Sequence, residues 1–142
     1  MKKIGCFLLM MLLLTVLVGG ISCQGKAPEY TTATPEGTVK LLFDAYSSLD
    51  PDKIVNLYIE ETREEIRPAT VGVLGQFQSI RIVDLEIETI SQTEATAIVE
   101  ASFTTIYVEK DGTPGRFPFH TVEFHLEKRG GEWLISQPPP VV

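Results

Sequence analysis

The side chains able to do chemistry are few and dispersed. The chain has two histidines, His120 and His125. A histidine facing an enclosed space would act as a general base or a ligand contact. His120 shares strand parity with Val122, Phe124 and Leu126, which aims it toward an apolar face. No carboxylate is assignable to it by spacing, and a rim position beside Pro118 is the alternative. His125 alternates with those apolar residues and reads as solvated. Two such histidines do not make a metal-ligand pattern. Glu60, Glu61, Glu64 and Glu65 lack the oxygen-rich loop and turn glycine of a calcium site. Asp44 lies off the apolar stripe of its helix, and Asp84 sits among Glu86 and Glu88. Neither resembles a buried base with a tuned pKa. Tyr46 and Tyr58 would bring hydroxyls to a pocket wall, and Phe103 and Trp133 apolar surface. The candidate pocket lining is therefore Tyr46, Tyr58, His120, Phe103 and Trp133. No G-x-S-x-G, phosphate-binding glycine loop, H-E-x-x-H or C-x-x-C occurs, and no cofactor or metal is expected.

These residues need elements to position them, and the last third of the chain supplies a sheet. Ala97, Val99, Ala101 and Phe103 alternate with polar residues, as do Val122, Phe124 and Leu126. Upstream, Val83, Leu85 and Ile87 are expected on one face and Asp84, Glu86 and Glu88 on the other. Asp111-Gly112 and Gly130-Gly131 mark turns, and Glu132-Trp133-Leu134-Ile135 a short last strand. Short turns require antiparallel pairing, and one wet face requires a cover on the other. Two helices precede the sheet. Thr34-Pro35-Glu36 starts the first, with a stripe of Val39, Leu42, Phe43, Tyr46 and Leu49; Asp50-Pro51-Asp52 starts the second. Residues 60–65 read as a charged turn or short helix that Pro68 interrupts, and residues 69–77 as helix or loop.

The chain has 19 acidic and 12 basic residues, a net charge of −7. That excess argues against nucleic acid as a partner and against the domain lying on an anionic membrane surface. The N-terminus is different in kind. Lys2 and Lys3 precede an apolar run closed by small residues, which reads as an export signal. Its end, Gly20-Ile21-Ser22-Cys23, resembles a bacterial lipoprotein signal, which implies acylation of Cys23 and anchoring to a cell or outer membrane. An uncleaved signal anchor is the alternative. Cys6, the other cysteine, lies in the signal, so the exported part has no disulfide.

The expected organisation is a signal over 1–22, a flexible tether over 23–33, an α+β domain over 34–137 and a Pro-rich tail over 138–142. Thr34-Pro35-Glu36, Asp50-Pro51-Asp52 and the Gly130-Gly131-Glu132-Trp133-Leu134-Ile135 strand together resemble the nuclear transport factor 2-like superfamily. This includes ketosteroid isomerases, SnoaL-like proteins and small lipoprotein domains. The resemblance implies N-terminal helices on a curved antiparallel sheet, a cone whose cavity is open or filled, and frequent homodimerisation through the sheet. No catalytic aspartate or aspartate–histidine pair carries over. The expectation is a lipid-anchored, extracytoplasmic accessory domain that binds a protein partner or a small apolar ligand through the concave sheet. Two alternatives stand beside it. One is an isomerase or dehydratase using His120 with Tyr46 or Tyr58; the other is a structural component of an envelope or secretion assembly.

Overall fold

The computed structural model describes residues 29–138. Cys23, the 1–22 segment and most of the expected tether lie outside the described residues. Helix α1 (Pro35–Ser47) begins where expected: Thr34 is extended, at φ −127° and ψ 150°, and its Oγ1 accepts the Gly37 N–H at 3.1 Å. Pro35 contributes no N–H to satisfy, and Glu36 meets the positive helix end. Asp50 caps α2 (Pro51–Asn56) through the Lys53 N–H at 3.1 Å, a bond that holds its carboxyl below the ordinary value.

Helix α3 runs unbroken over Glu60–Leu74, past the proline expected to interrupt it. Pro68 removes one intrahelical donor, but it and Glu64 are both exposed, so the freed carbonyl meets water. Only Ile66 and Leu74 of this helix are buried, while Val71 and Val73 stay half exposed. Among the described residues, no helix is long and apolar enough to cross a membrane.

Four antiparallel strands form one sheet in the order β1-β2-β3-β4: Phe77–Gln92, Thr96–Glu109, Pro114–Arg129 and Glu132–Ile135. The Asp111–Gly112 turn joins β2 and β3, with Gly112 at φ +90° and the Asp111 carboxylate accepting the Thr113 N–H at 2.8 Å. Two irregularities reset which side chains face inward. In β1 the register shifts between Val83 and Glu86, and Asp84 takes φ +54°. An aspartate tolerates that conformation better than most residues. Ile80 and Ile82 therefore face inward before the shift, and Leu85 and Ile87 after it. Val83, expected beside Leu85, is left out of the core for this reason. In β3 the bulge lies at Pro118 and Phe119, between the Phe103–His120 and Thr105–Phe117 pairs.

The core lies between α1, α2 and the inner face of the sheet. It centres on Val39, Leu42 and Phe43, on Ile54 and Val55, on Val99 and Ala101, and on Trp133 and Ile135. Backbone and side-chain bonds pin its narrow end. The Trp133 N–H donates to Thr32 O and the Thr38 hydroxyl to Trp133 O, both at 2.7 Å, and Thr89 bonds Glu36. One polar group goes unanswered. Thr104 is 1% exposed, and its Oγ1 has no hydrogen-bond partner among the described residues. A buried, unpaired hydroxyl costs about 1–3 kcal/mol. Thr104→Val keeps the shape and β-branching while removing that hydroxyl. It should raise unfolding free energy by about 1 kcal/mol, read as a higher urea midpoint with an unchanged slope.

Candidate functional site

The second half of α1 does not close onto the wide end of the sheet. The gap is a cavity of about 310 Å³, at the small end of ligand-site volumes. Leu42, Phe43 and Tyr46 line it from α1, and Val73 from α3. The sheet contributes Phe77, Ile80 and Ile82 from β1, then Phe103, Thr105 and Tyr107 from β2, and Phe117, Val122 and Phe124 from β3. The two irregular points make this wall. The β1 shift gives Ile80 and Ile82 the inward side, and the β3 bulge turns Phe117 inward beside Tyr107.

The lining is mostly aromatic and the rings hold one another. Phe43 meets Phe103 with centroids 4.5 Å apart, Phe77 meets Tyr107 at 5.1 Å, and Tyr107 meets Phe117 at 5.0 Å. Gly115, across the strand pair from Tyr107, makes room for that ring: a Cβ there would fall 2.2 Å from the Tyr107 Cζ. The half-exposed Val73 and Phe117 mark the mouth. The mouth sits at the β2–β3 hairpin end, where the Lys110 N–H donates to Gln76 O at 2.9 Å. The chain reaches the domain at the opposite end, where Thr32 bonds Trp133.

Among the described residues, the polar side chains on this wall are those of Tyr46, Thr105 and Tyr107, each with a hydroxyl. Burial raises the Tyr46 phenol above its ordinary pKa. The Tyr58 phenol is raised further, by burial first and then by its proximity to Tyr46. Both stay protonated at neutral pH; Tyr46, the one on the wall, can therefore hydrogen-bond a ligand but not accept a proton as phenolate. No carboxylate, imidazole or thiol among the described residues lines the cavity. Among the described residues, no group of three or more metal-ligating side chains is close enough to hold an ion. The chemistry on offer is solvation of an apolar body with one or two hydroxyl contacts.

The structure places the five candidate residues unequally. Tyr46 and Phe103 line the cavity. His120 is not among the lining residues: it sits across the strands from Phe103, with the two rings 4.4 Å apart, and its Nδ1 is 2.9 Å from Pro118 O, at the bulge. Tyr58 is buried just after α2, where it bridges Ile135, and Trp133 fills the core at the narrow end. Neither reaches the cavity, because both belong to the closed half of the cone. Val73, Phe77, Ile80, Ile82, Thr105, Tyr107 and Phe117 were not singled out from the sequence. The odd-numbered alternation of β2 continues from Phe103 to Thr105 and Tyr107, and that signal was present. Phe117 had none, since a bulge reverses its parity.

No protein-family model matches the sequence, and no curated protein matches it. Solved structures do resemble the fold. A candidate aromatic ring hydroxylase from Novosphingobium aromaticivorans superposes with a TM-score of 0.66 at 14% identity, covering 80% of this chain and 94% of its own. A candidate dehydratase of the NTF2-like family from Streptomyces avermitilis gives 0.56 at 11% identity over 69% and 85%. A candidate scytalone dehydratase from N. aromaticivorans gives 0.54 at 16% identity over 69% and 76%. At such identities the likeness speaks for architecture alone. Helices on one curved antiparallel sheet, with a cavity at the wide end, make this chain a nuclear transport factor 2-like α+β fold.

Proposed function

We propose that the domain binds a small, neutral, apolar molecule in this cavity without transforming it, on a lipid tether at Cys23. One observation carries the binding reading: a near-continuous aromatic and aliphatic wall whose polar side chains, among the described residues, bear only hydroxyls. A charged ligand would lose its hydration there without a partner. The tether reading rests on the basic start, the apolar run and the small residues before Cys23. A neutral fluorophore, N-phenyl-1-naphthylamine, should bind saturably at one site per chain, with its emission raised and blue-shifted. Emission that rises linearly without saturation argues against an organised site. Separately, Cys23→Ala should abolish acyl labelling and leave the N-terminal segment uncleaved. Unchanged labelling and size would end the lipid reading.

A second reading keeps the enzyme in view, because two structural neighbours are candidate dehydratases and the His120 ring packs against Phe103 of the cavity wall. Proton transfer would require His120 to turn from beside Phe103 toward a substrate near Tyr46. If so, a hydroxyketone panel should show turnover that His120→Ala lowers at least 100-fold. Under the binding reading there is no turnover to lose, and His120→Ala leaves fluorophore affinity within about twofold, since the ring makes no cavity contact.

A further inference from the structure

The Tyr107 side chain lies across the strand pair instead of standing up from the sheet. Tyr107 and Gly115 are register partners, and the far end of the ring rests on the glycine. A Cβ on Gly115 would fall 2.2 Å from the Tyr107 Cζ and 2.4 Å from its hydroxyl oxygen. No side chain fits in that space while the ring stays where it is. The same ring meets Phe77 of β1 edge-on, and Phe117 of β3 with 32° between the two planes. Tyr107 and Phe117 thus make a shallow aromatic floor at the mouth of the cavity.

The backbone gives no other reason for a glycine here. Gly112, Gly130 and Gly131 take positive φ, as tight turns require, and Gly115 does not. A glycine inside a strand gives up side-chain packing, and it marks places where another group approaches closely. At Gly115 that group is the Tyr107 ring.

We propose that Gly115 sets the size of ligand the cavity admits. It is a positioning residue: by letting Tyr107 lie flat, it keeps the mouth open to neutral compounds of two or more rings. This rests on the apolar-site reading above. A side chain at position 115 forces Tyr107 into another rotamer. Phe77 and Phe117 occupy the strands on either side, so the free volume left to the ring is the cavity itself. A phenol standing there takes the mouth. The deep end, among the buried Leu42, Phe43 and Phe124, then holds a single ring at most.

Two neutral probes of different size test this on the full chain, with uptake by detergent alone subtracted. Wild type should bind both N-phenyl-1-naphthylamine and toluene. Gly115→Ala should lose at least about tenfold in affinity for the larger probe and less than about threefold for toluene. Adding Tyr107→Ala to Gly115→Ala removes the colliding ring and should restore the larger probe to the affinity of Tyr107→Ala alone. Gly72→Ala, where a Cβ meets nothing within 4 Å, should change neither affinity. Equal losses for both probes, or no rescue by Tyr107→Ala, overturn the proposal. Should Gly115→Ala fail to fold by circular dichroism, the double variant should fold and bind, and its failure as well overturns the proposal. Binding of neither probe by wild type sinks the apolar-site reading instead. Crystal structures of wild type and Gly115→Ala then decide the role of the glycine. A Tyr107 ring turned into the cavity upholds it, and a ring that has not moved refutes it.

Discussion

Trp133→Ala should cost about 3–5 kcal/mol of unfolding free energy, the largest loss expected from any single truncation in this domain. The side chain is 2% exposed and fills the narrow end of the cone, where strand β4 closes the sheet against α1. Its own backbone is held on both sides, by Thr32 and by the Thr38 hydroxyl. The structure there cannot collapse freely into the space left behind, so the cavity cost adds to the lost burial. Against a typical total of 5–15 kcal/mol, the variant should sit near the edge of stability. Trp133 is the sole tryptophan, so circular dichroism rather than fluorescence must follow the urea transition. Trp133→Phe should recover more than half of the loss. A change below about 1 kcal/mol for the alanine variant would mean that the narrow end is not the packed region described.

Thr105→Glu should weaken binding of a neutral apolar probe at least 100-fold while leaving the domain folded. Thr105 sits mid-wall, paired with Ile82 on one side and Phe117 on the other. A carboxylate there must either lose its water or keep it in the space the ligand needs. A 100-fold loss corresponds to about 2.7 kcal/mol, within what burying a charge costs. The half-open mouth lets the glutamate reach solvent when no ligand is present, so stability should change far less than affinity. Glu88→Gln, on the outer face, is the control and should leave probe affinity within twofold. Equal losses for both variants would place the probe outside the cavity.

Much of the architecture could be read from residue order because its signals are local. Thr34-Pro35-Glu36 and Asp50-Pro51-Asp52 cap helices by contacts within three residues, and the alternation of β2 holds from Ala97 to Phe103. The features that failed to show are those that depend on non-local geometry. Pro68 breaks a helix only if its orphaned carbonyl is denied water, and exposure is not a property of sequence spacing. The β1 shift at Val83–Glu86 and the β3 bulge at Pro118–Phe119 each reverse parity without a glycine to announce them. Strand parity alone therefore puts Val83 inside and gives no signal for Phe117. The cavity suffered most from this, since both irregular points build its wall. Tyr58 and Trp133 looked like pocket residues because they are aromatic on apolar faces. Whether an apolar face meets packed core or open space is decided by how far α1 reaches along the sheet.

The most direct test of the apolar-site reading is a native mass spectrum of the chain purified gently from its own host. The expected result is a population heavier than the polypeptide and its anchor, with the extra mass lost on denaturation and extractable as a neutral apolar compound. Thr105→Glu prepared in parallel should carry none. A spectrum with no excess mass, from protein that also fails to take up N-phenyl-1-naphthylamine, would contradict the apolar-site reading.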